Sequence, residues 1–310
     1  MKKKKLVIVT TVPQTLTGIL FDQPKYLNEF FDVEIVTSPG EQVARVSSRE
    51  GVPIHLIGMA RRISPFCDLR AIWDMFWLLM KTRPDIIHSY TPKAGLVAMI
   101  GAWLARVPVR IHTFTGLVFP TQHGLKRMIL VWVDRLICFC ATNVVPEGDG
   151  VKEDLVLARI TTKPLQKIGH GNIAGVDTDY YTPGVDGVAH TGREIREKIG
   201  VGPEEFLFLF VGRLNKDKGV RELVSAFQSL GAKAHLVLVG AVDKVDPVDR
   251  ATMSAIEANP HIHYLGFQTD IRPVMACADA LVLPSYREGF PNVVLQAGAM
   301  QLPALVTDVS

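Results

Sequence analysis

The sequence predicts an α/β protein built from two doubly wound domains. Short apolar runs alternate with helix-length segments along most of the chain. Most of these runs are rich in Val and Ile and apolar throughout, which is typical of parallel strands buried on both faces. The alternation lapses once, over residues 175–192, and then restarts. We therefore expect two Rossmann-like domains facing a cleft.

The first half contains six strand candidates with helical segments between them. Strands are predicted at KLVIVTTV, VEIVTS, VPIHLI, DIIHSY, VRIHTF and TNVVP. Helices are predicted at LRAIWDMFWLLMKTR and KAGLVAMIGAWLARV. This repeated strand–helix alternation predicts a first doubly wound domain over residues 1–182.

The second half repeats the alternation after a linker. Residues 175–192, GVDTDYYTPGVDGVAHTG, are rich in Gly, Asp and Thr and are predicted to form that linker. The second domain, 183–310, has strand candidates at EFLFLFVG, AHLVLVG, IHYLG, ALVLPS and PALVT. Helices are expected at 220–230, on both sides of IHYLG, and from about Asn292. No covering helix follows the last strand candidate, so we expect this domain to be incomplete.

Composition and charge restrict the class of protein. The chain has 310 residues, of which 48% are hydrophobic and 21% charged, and this balance indicates a globular protein. Residues 1–185 carry 22 Lys and Arg against 16 Asp and Glu, whereas the remainder carries 12 against 15. A basic first half suits a phospholipid surface, a lipid phosphate or a nucleic acid, and a scattered solvated surface is the alternative.

Cysteine spacing and hydropathy bear on the compartment. The four cysteines lack the spacing of zinc or redox pairs, which favours a reduced, cytosolic protein. The longest apolar stretch, 128–145, contains Asp134 and Arg135, so a membrane-spanning helix is not expected.

The segment FVGRLNKDKG, 210–219, follows a predicted strand and precedes a predicted helix. Gly212 permits a tight exit from the strand. Arg213 and Lys218 then lie at the carboxyl end of the sheet, where α/β folds bind ligands. Two cations at that position suit a diphosphate, and solvated loop cations are the alternative.

The strand ALVLPS leads into YREGFPNVV. Pro291 and Asn292 stand near a helix start, where free backbone amides favour an anion. Glu288 is unsuited to a phosphate but suits the neutral hydroxyls of a sugar, and Gln296, about one turn into the helix, can reach another polar group. An ordinary charged loop before a helix is the alternative.

A glycine-rich segment, QKIGHGNIAGVD, covers residues 166–177. Its glycines permit close approach by a ligand, but their spacing is not the dinucleotide fingerprint, so we reject a nicotinamide site. The acids of DTD, Asp177 and Asp179, resemble a metal-binding pair and are interpreted as turn residues.

Together, these segments make the chain resemble the retaining glycosyltransferases of family 4, which have the two-domain GT-B fold. The family's GRL…KG, EGxP and GVD motifs read here as residues 212–219, 288–291 and 175–177. The stretches TVPQTLTG, GMARRISPFCDLRAIW, DIIHSYTPKAGL, VRIHTFTGLVF and IGHGNIAGVD resemble a bacterial subgroup that builds capsule, O-antigen or other surface polysaccharides on a polyprenyl diphosphate. The resemblance runs nearly end to end.

The resemblance implies roles for residues of the second domain. Arg213 and Lys218 would bind the donor diphosphate and stabilise charge on the leaving nucleotide, and Glu288 would bind hydroxyls of the donor sugar. Gln296 replaces an acid that usually holds the ribose hydroxyls, and an amide can still donate and accept there. No metal or other cofactor is expected, because cations already flank the phosphates. The remaining donor-binding candidates are Gly212, Gly289, Phe290, Pro291 and Asn292.

The acceptor side is assigned to the first domain. The subgroup often carries a His after the fifth strand, where this chain has Thr115. Two other histidines are considered for the same region, with a packed or hydrogen-bonded role as the alternative, and a lysine at the same rim could meet an acceptor phosphate. The acceptor-side candidates are Gly18, His88, Lys93, His112 and Thr115.

The resemblance implies transfer of a hexose or N-acetylhexosamine from a nucleotide sugar to a polyprenyl-diphosphate-linked saccharide. A UDP-linked sugar is the donor expected first. Configuration would be retained, the product would enter a surface polysaccharide, and no nucleic acid would take part. The alternatives are a nucleotide-sugar epimerase and a non-catalytic scaffold of a polysaccharide assembly complex.

A basic, apolar edge on the first domain predicts peripheral docking at the inner face of the cytoplasmic membrane. Packing of the same helices on the sheet is the alternative. The side chains that suggest docking come from GLKRMILVWVDRLICFC and ARRIS, and they are Lys126, Arg127, Trp132, Arg135, Arg61 and Arg62.

Overall fold

The computed structural model describes residues 3–60, 64–230, 233–243 and 246–309. The chain divides into two compact units, and the second begins at Gly175. This division falls earlier than the predicted boundary at 182. Tyr181 and Val185, on either side of that boundary, both pack against the core of the second unit.

The first unit is a six-stranded parallel sheet covered by helices on both faces. Its strand order is β3-β2-β1-β4-β5-β6, so the chain moves outward from β1 in one direction and from β4 in the other. The strands are β1 Lys5–Val9, β2 Asp32–Thr37, β3 Ile54–Leu56, β4 Ile86–Tyr90, β5 Val109–Phe114 and β6 Asn143–Pro146. The helices are α1 Pro13–Gly18, α2 Gln23–Leu27, α3 Val43–Glu50, α4 Pro65–Thr82, α5 Pro92–Leu104, α6 Gly124–Cys140 and α7 Asp149–Leu157.

Two hydrophobic cores lie on opposite faces of this sheet. One joins α1 and α3 to β1 and β2 through residues such as Leu16 and Val46. The larger core joins α4, α5, α6 and α7 to the sheet, with Met75, Met99 and Ile137 at its centre. Alternate side chains of a strand point to opposite faces, so strands covered on both sides are mostly apolar on both faces, as the sequence indicated.

The second unit is a five-stranded parallel sheet with the order β11-β10-β7-β8-β9. Its strands are β7 Phe206–Val211, β8 Ala234–Val239, β9 Ile262–Gly266, β10 Ala280–Leu283 and β11 Ala304–Val306. Its helices are α8 Val188–Lys198, α9 Val220–Phe227, α10 Arg250–Ala258, α11 Arg272–Cys277 and α12 Asn292–Ala299. The prediction of two doubly wound sheets is confirmed, and every strand candidate forms a strand.

The predicted linker is wrong over its last residues, because α8 begins at Val188. Gly187, in the left-handed region with φ 82°, precedes the helix, and Gly192 lies inside it. A Cβ on Gly192 would lie 2.8 Å from the carbonyl oxygen of Pro273. Glycine is therefore used here for close packing of α8 on α11, although in the sequence it looks like a loop residue.

Candidate functional site

The carboxyl ends of β7 and β10 define the candidate site of the second unit. β8 and β9 lie on one side of β7, whereas β10 and β11 lie on the other, so the connections change direction between β7 and β10. Ligands of doubly wound folds bind outside the carboxyl ends of the strands at such a point. The loop after β7 carries Arg213 and Lys218, and the loop after β10 carries Glu288. The structure thus brings the predicted GRL…KG and EGxP segments to neighbouring strand ends.

Gly219 allows these two loops to touch. It has φ 66° and precedes α9. A Cβ at this position would lie 2.0 Å from the carbonyl oxygen of Pro284, the first residue after β10. Only glycine fits both the conformation and the contact, which explains why the GRL…KG segment of this chain ends in glycine.

Lys218 and Glu288 form an ion pair across the two loops. The ammonium of Lys218 donates to Glu288 Oε1, and Ser285 Oγ donates to the same oxygen at 2.5 Å. Next to them, Arg287 Nη2 donates to Asp217 Oδ2 at 2.6 Å, which ties the same loops together a second time. The sequence predicted the roles of Lys218 and Glu288 separately but not their contact.

Arg213 belongs to a second pair at the same edge of the sheet. Its guanidinium donates to the buried carboxylate of Asp243, in the loop after β8. The backbone amide of Asp243 donates to the carbonyl oxygen of Leu214 at 3.1 Å, so this loop is joined to the loop after β7. The sequence analysis did not identify Asp243, because the local sequence does not show that residues 213 and 243 are in contact.

The start of α12 follows directly on the EGxP segment. Pro291 caps the helix with an extended backbone, φ −74° and ψ 100°, and Asn292 is its first residue. Gly289 and Phe290 precede them and are half-buried. The first amides of a helix have no acceptor within the helix, so this end of α12 suits an oxygen-rich ligand.

Gln296 lies in the second turn of α12. Its Nε2 donates to the hydroxyl oxygen of Tyr181 at 3.0 Å. Tyr181 comes from the segment predicted to be a linker and was not considered as a site residue.

The acidic turn after the glycine-rich loop has the predicted turn chemistry. Asp177 Oδ1 accepts hydrogen bonds from the backbone amides of Asp179 and Tyr180, both at 3.0 Å. In the described residues no group of three or more His, Cys, Asp or Glu side chains is arranged to hold a metal ion.

His112 lies in the core of the first unit and does not reach a surface where an acceptor could bind. Its side chain is fully buried, and Nδ1 shares a hydrogen bond of 2.8 Å with Ser89 Oγ. The ring packs directly on α5, since a Cβ on Gly95 would lie 2.4 Å from it. Burial lowers the pKa of His112 to about 3, so the ring is neutral. The packed role named as the alternative is the one the structure shows.

His88 is part of a hydrogen-bonded network near the carboxyl edge of the first sheet. Nε2 lies 2.8 Å from Thr113 Oγ1, and Nδ1 lies 3.1 Å from the hydroxyl of Tyr90. Tyr90 in turn donates to Gln23 Oε1 at 3.3 Å. Burial lowers the pKa of His88 to about 3. Its ring nitrogens are both engaged within the protein.

The other acceptor-side candidates lie on three different elements of the first unit. Lys93, in the first turn of α5, donates to both carboxylate oxygens of Asp68 at 2.8 and 2.7 Å. Gly18 is the exposed last residue of α1, and Thr115 is half-buried just after β5. Lys93 is thus paired with a carboxylate, as Lys218 and Arg213 are in the second unit.

Thr91 is a feature of this edge that the sequence does not reveal. It follows β4 with φ 74° and ψ 144°, a conformation that β-branched residues rarely adopt. Its hydroxyl lies 2.7 Å from Thr11 Oγ1, which follows β1. β1 and β4 are the strands where the first sheet changes direction, so backbone strain coincides with the ligand-binding position of the fold.

Comparison with known proteins gives the same assignment to both halves. A model of the glycosyl transferase 4-like domain matches residues 25–160, and a model of the glycosyl transferases group 1 matches residues 205–310. The capsular polysaccharide biosynthesis glycosyltransferase CapM of Staphylococcus aureus is 28% identical, over 100% of this chain and 80% of its own length. The UDP-Gal:alpha-D-GlcNAc-diphosphoundecaprenol alpha-1,3-galactosyltransferase of Escherichia coli is 24% identical, over 91% of this chain and 73% of its own.

Among solved structures, HepE of Anabaena in complex with UDP-glucose superposes with a TM-score of 0.79 at 17% identity, covering 99% of this chain and 81% of HepE. The two parallel sheets and this likeness define the fold as GT-B. The two family models define the class of protein as a glycosyltransferase. Within that class, the chain belongs to glycosyltransferase family 4, as the motifs around Lys218 and Glu288 indicated.

Proposed function

We propose that this protein transfers a hexose or N-acetylhexosamine from a UDP-sugar to a polyprenyl-diphosphate-linked saccharide, with retention of configuration. The observation that carries the proposal is the contact of Lys218 with Glu288 at the carboxyl ends of β7 and β10. A cation suited to phosphate and an acid suited to sugar hydroxyls therefore lie side by side, which supports binding of a diphosphate and its sugar at this point.

In this proposal the donor diphosphate binds between Lys218 and Arg213, while Glu288 accepts hydrogen bonds from the sugar. The acceptor hydroxyl attacks C1 from the face that the leaving diphosphate occupies. The new C1–O bond forms as the bond from C1 to the phosphate oxygen breaks, and the hydroxyl proton passes to a donor phosphate oxygen. The two cations stabilise the negative charge that develops on the nucleotide.

The names of two relatives support the choice of substrates. The E. coli relative is named for UDP-Gal and a diphosphoundecaprenol acceptor. A Campylobacter jejuni relative, 25% identical over 92% of this chain, is named as an N-acetylgalactosaminyltransferase acting on a diphospho-undecaprenol-linked sugar. CapM and these two support a place in surface polysaccharide biosynthesis.

The test is a panel of UDP-, GDP- and dTDP-sugars incubated with lipid-diphosphate saccharides and followed by mass spectrometry. We expect a single sugar to be added from a UDP donor, with the anomeric configuration of the donor. An altered free sugar in the absence of acceptor would instead indicate an epimerase. Nucleotide-sugar binding without any turnover would indicate a scaffold.

The same proposal places the protein at the inner face of the cytoplasmic membrane, and the helix layer of the first unit supports this. The chain has four tryptophans, and all lie on α4, α5 or α6 with between 47 and 63% of their surface exposed. These helices pack side by side on one face of the sheet, and Trp103 of α5 contacts Phe139 of α6 with ring centroids 6.1 Å apart. We call this surface, formed by Trp73, Trp77, Trp103 and Trp132, the tryptophan face.

Charge next to the tryptophan face favours an anionic bilayer. Lys126 and Arg127 occupy the first turn of α6, and the guanidinium of Arg135 lies 5.6 Å from the ring of Trp132. The basic pair Arg61 and Arg62 lies outside the described residues. Within the described residues every helix is too short or too polar to cross a membrane. An amphipathic surface of aromatic and basic residues suits docking in the interfacial layer.

We predict that the tryptophan face binds vesicles containing phosphatidylglycerol. The indole emission should shift to the blue on binding, and Trp73→Ser with Trp77→Ser should weaken binding about tenfold or more, since removing two partly inserted indoles costs at least about 1.4 kcal/mol. Co-sedimentation with vesicles measures the affinity. Phe267→Ser, at an exposed aromatic of the second unit, is the matched control and should leave binding unchanged. Equal loss in both variants, or no binding to anionic vesicles, would contradict the docking surface.

A further inference from the structure

Gln296 is held in one orientation by Tyr181. The amide nitrogen of Gln296 donates to the tyrosine hydroxyl at 3.0 Å, and both groups belong to the second unit. An amide differs from a carboxylate in having one donor end and one acceptor end. Because the amide nitrogen is held by Tyr181, the end of Gln296 that remains available to a ligand is Oε1.

Tyr181 is itself firmly placed. Its backbone amide donates to the carbonyl oxygen of Asp177 at 2.8 Å, and its ring packs against the core of the second unit. The neighbouring Tyr180 meets it edge-on at 5.1 Å and carries the guanidinium of Arg272 3.6 Å above its ring. Burial raises the pKa of Tyr181 above its usual value, so the phenol keeps its proton and accepts the amide hydrogen bond as a neutral group.

We infer that Tyr181 is a positioning residue that turns the carbonyl oxygen of Gln296 toward the ribose hydroxyls of the donor nucleotide. This inference rests on the proposed function and on the ribose-binding role that the family resemblance implies for Gln296. A carboxylate offers an oxygen in either orientation and needs no such partner. The amide can accept at one end only, and because Tyr181 holds the nitrogen end, the oxygen end is the one presented to a hydroxyl. Tyr181 thus compensates for the missing acid in this chain.

The inference predicts that the effect of Tyr181 depends on the residue at 296. Tyr181→Phe should weaken binding of UDP about fivefold, the usual consequence of losing one hydrogen bond at a ligand contact. In a Gln296→Glu background the same substitution should leave UDP affinity unchanged, because either carboxylate oxygen can accept. Tyr181→Phe should also leave the affinity for 2′,3′-dideoxyuridine diphosphate unchanged, because that ligand lacks the ribose hydroxyls.

Isothermal titration calorimetry on the four proteins of this double-mutant cycle measures the coupling directly. Tyr180→Phe is the matched control, since it keeps the ring beneath Arg272 and should bind UDP as the wild type does. Unchanged UDP affinity in Tyr181→Phe, or the same loss with Gln and Glu at 296, would overturn the inference and leave the proposed function standing. A wild-type protein that binds no UDP would overturn the proposed function, and the inference with it.

Discussion

Lys218→Ala is expected to lower kcat/KM for the donor sugar by about 10²–10³. In the proposed donor site, the substitution removes one of two cations beside the leaving nucleotide, where negative charge would develop, and groups of this kind contribute at that level. It also removes the ammonium that neutralises the carboxylate of Glu288, which then keeps only its hydrogen bond from Ser285. The uncompensated carboxylate then repels the incoming diphosphate. Initial rates with a UDP-sugar and a lipid-linked acceptor measure the first effect, and calorimetry with UDP measures the second.

Lys216→Ala is the matched control for Lys218→Ala. Both lysines belong to the same 3-10 turn, Lys216–Lys218. Lys216 is largely exposed and lies 3.7 Å from Asp246, an interaction of the kind that contributes little. Its loss should change kcat/KM by no more than about twofold. If the two variants were equally active, Lys218 would not be a phosphate-binding residue, and the proposed donor site would have to be placed elsewhere.

The strands were predictable because their apolar character depends only on burial, which the local sequence records. Helices on both faces of a parallel sheet favour continuous runs of branched aliphatic residues, such as LVIV in β1 and LVLV in β8. The beginning of α8 was not predictable in this way. Gly187 caps the helix, and Gly192 allows close packing of α8 on α11. Local composition cannot distinguish those uses from a loop.

The candidate site was predictable as two separate segments and not as a set of contacts. Lys218 and Glu288 are 70 residues apart, and the contact between them follows from strand order, which the sequence does not state. The same holds for Arg213 with Asp243 and for Gln296 with Tyr181. For His112, the sequence left a cleft role and a packed role open, because a position within a strand does not show whether the side chain points into a helix or toward solvent.

The tryptophan face could have been found from spacing alone. On α4, Ala71, Met75 and Leu79 form the stripe that enters the core. A second apolar stripe has the same helical period and is exposed: Phe66, Leu69, Trp73, Trp77 and Met80. One helix can bury only one stripe against a sheet, so a second stripe of large aromatic residues indicates another contact surface.

Gly240→Ala is expected to destabilise the second unit by about 3 kcal/mol or more. Gly240 follows β8 with φ 140°, and a Cβ there would lie 1.8 Å from the carbonyl oxygen of Gly212. Alanine is disfavoured by the backbone conformation, and the clash is with backbone atoms, so no side-chain rotation relieves it. The loop after β7 would have to move, and Arg213 would move with it. Affinity for UDP should therefore fall together with stability.

Gly266→Ala separates the cost of the backbone conformation from the cost of a steric clash. Gly266 also has a positive φ, 66°, but a Cβ there has nothing within 4 Å. Its carbonyl oxygen accepts a hydrogen bond of 2.8 Å from the amide of Gly240, so the two positions share one environment. Gly266→Ala should cost only about 1 kcal/mol, the usual penalty of a left-handed residue with a side chain, and should leave UDP affinity unchanged. Urea unfolding followed by far-UV circular dichroism measures both costs. Equal costs for the two variants would mean that backbone conformation alone requires glycine at 240, and that the contact with Gly212 does not hold Arg213 in place.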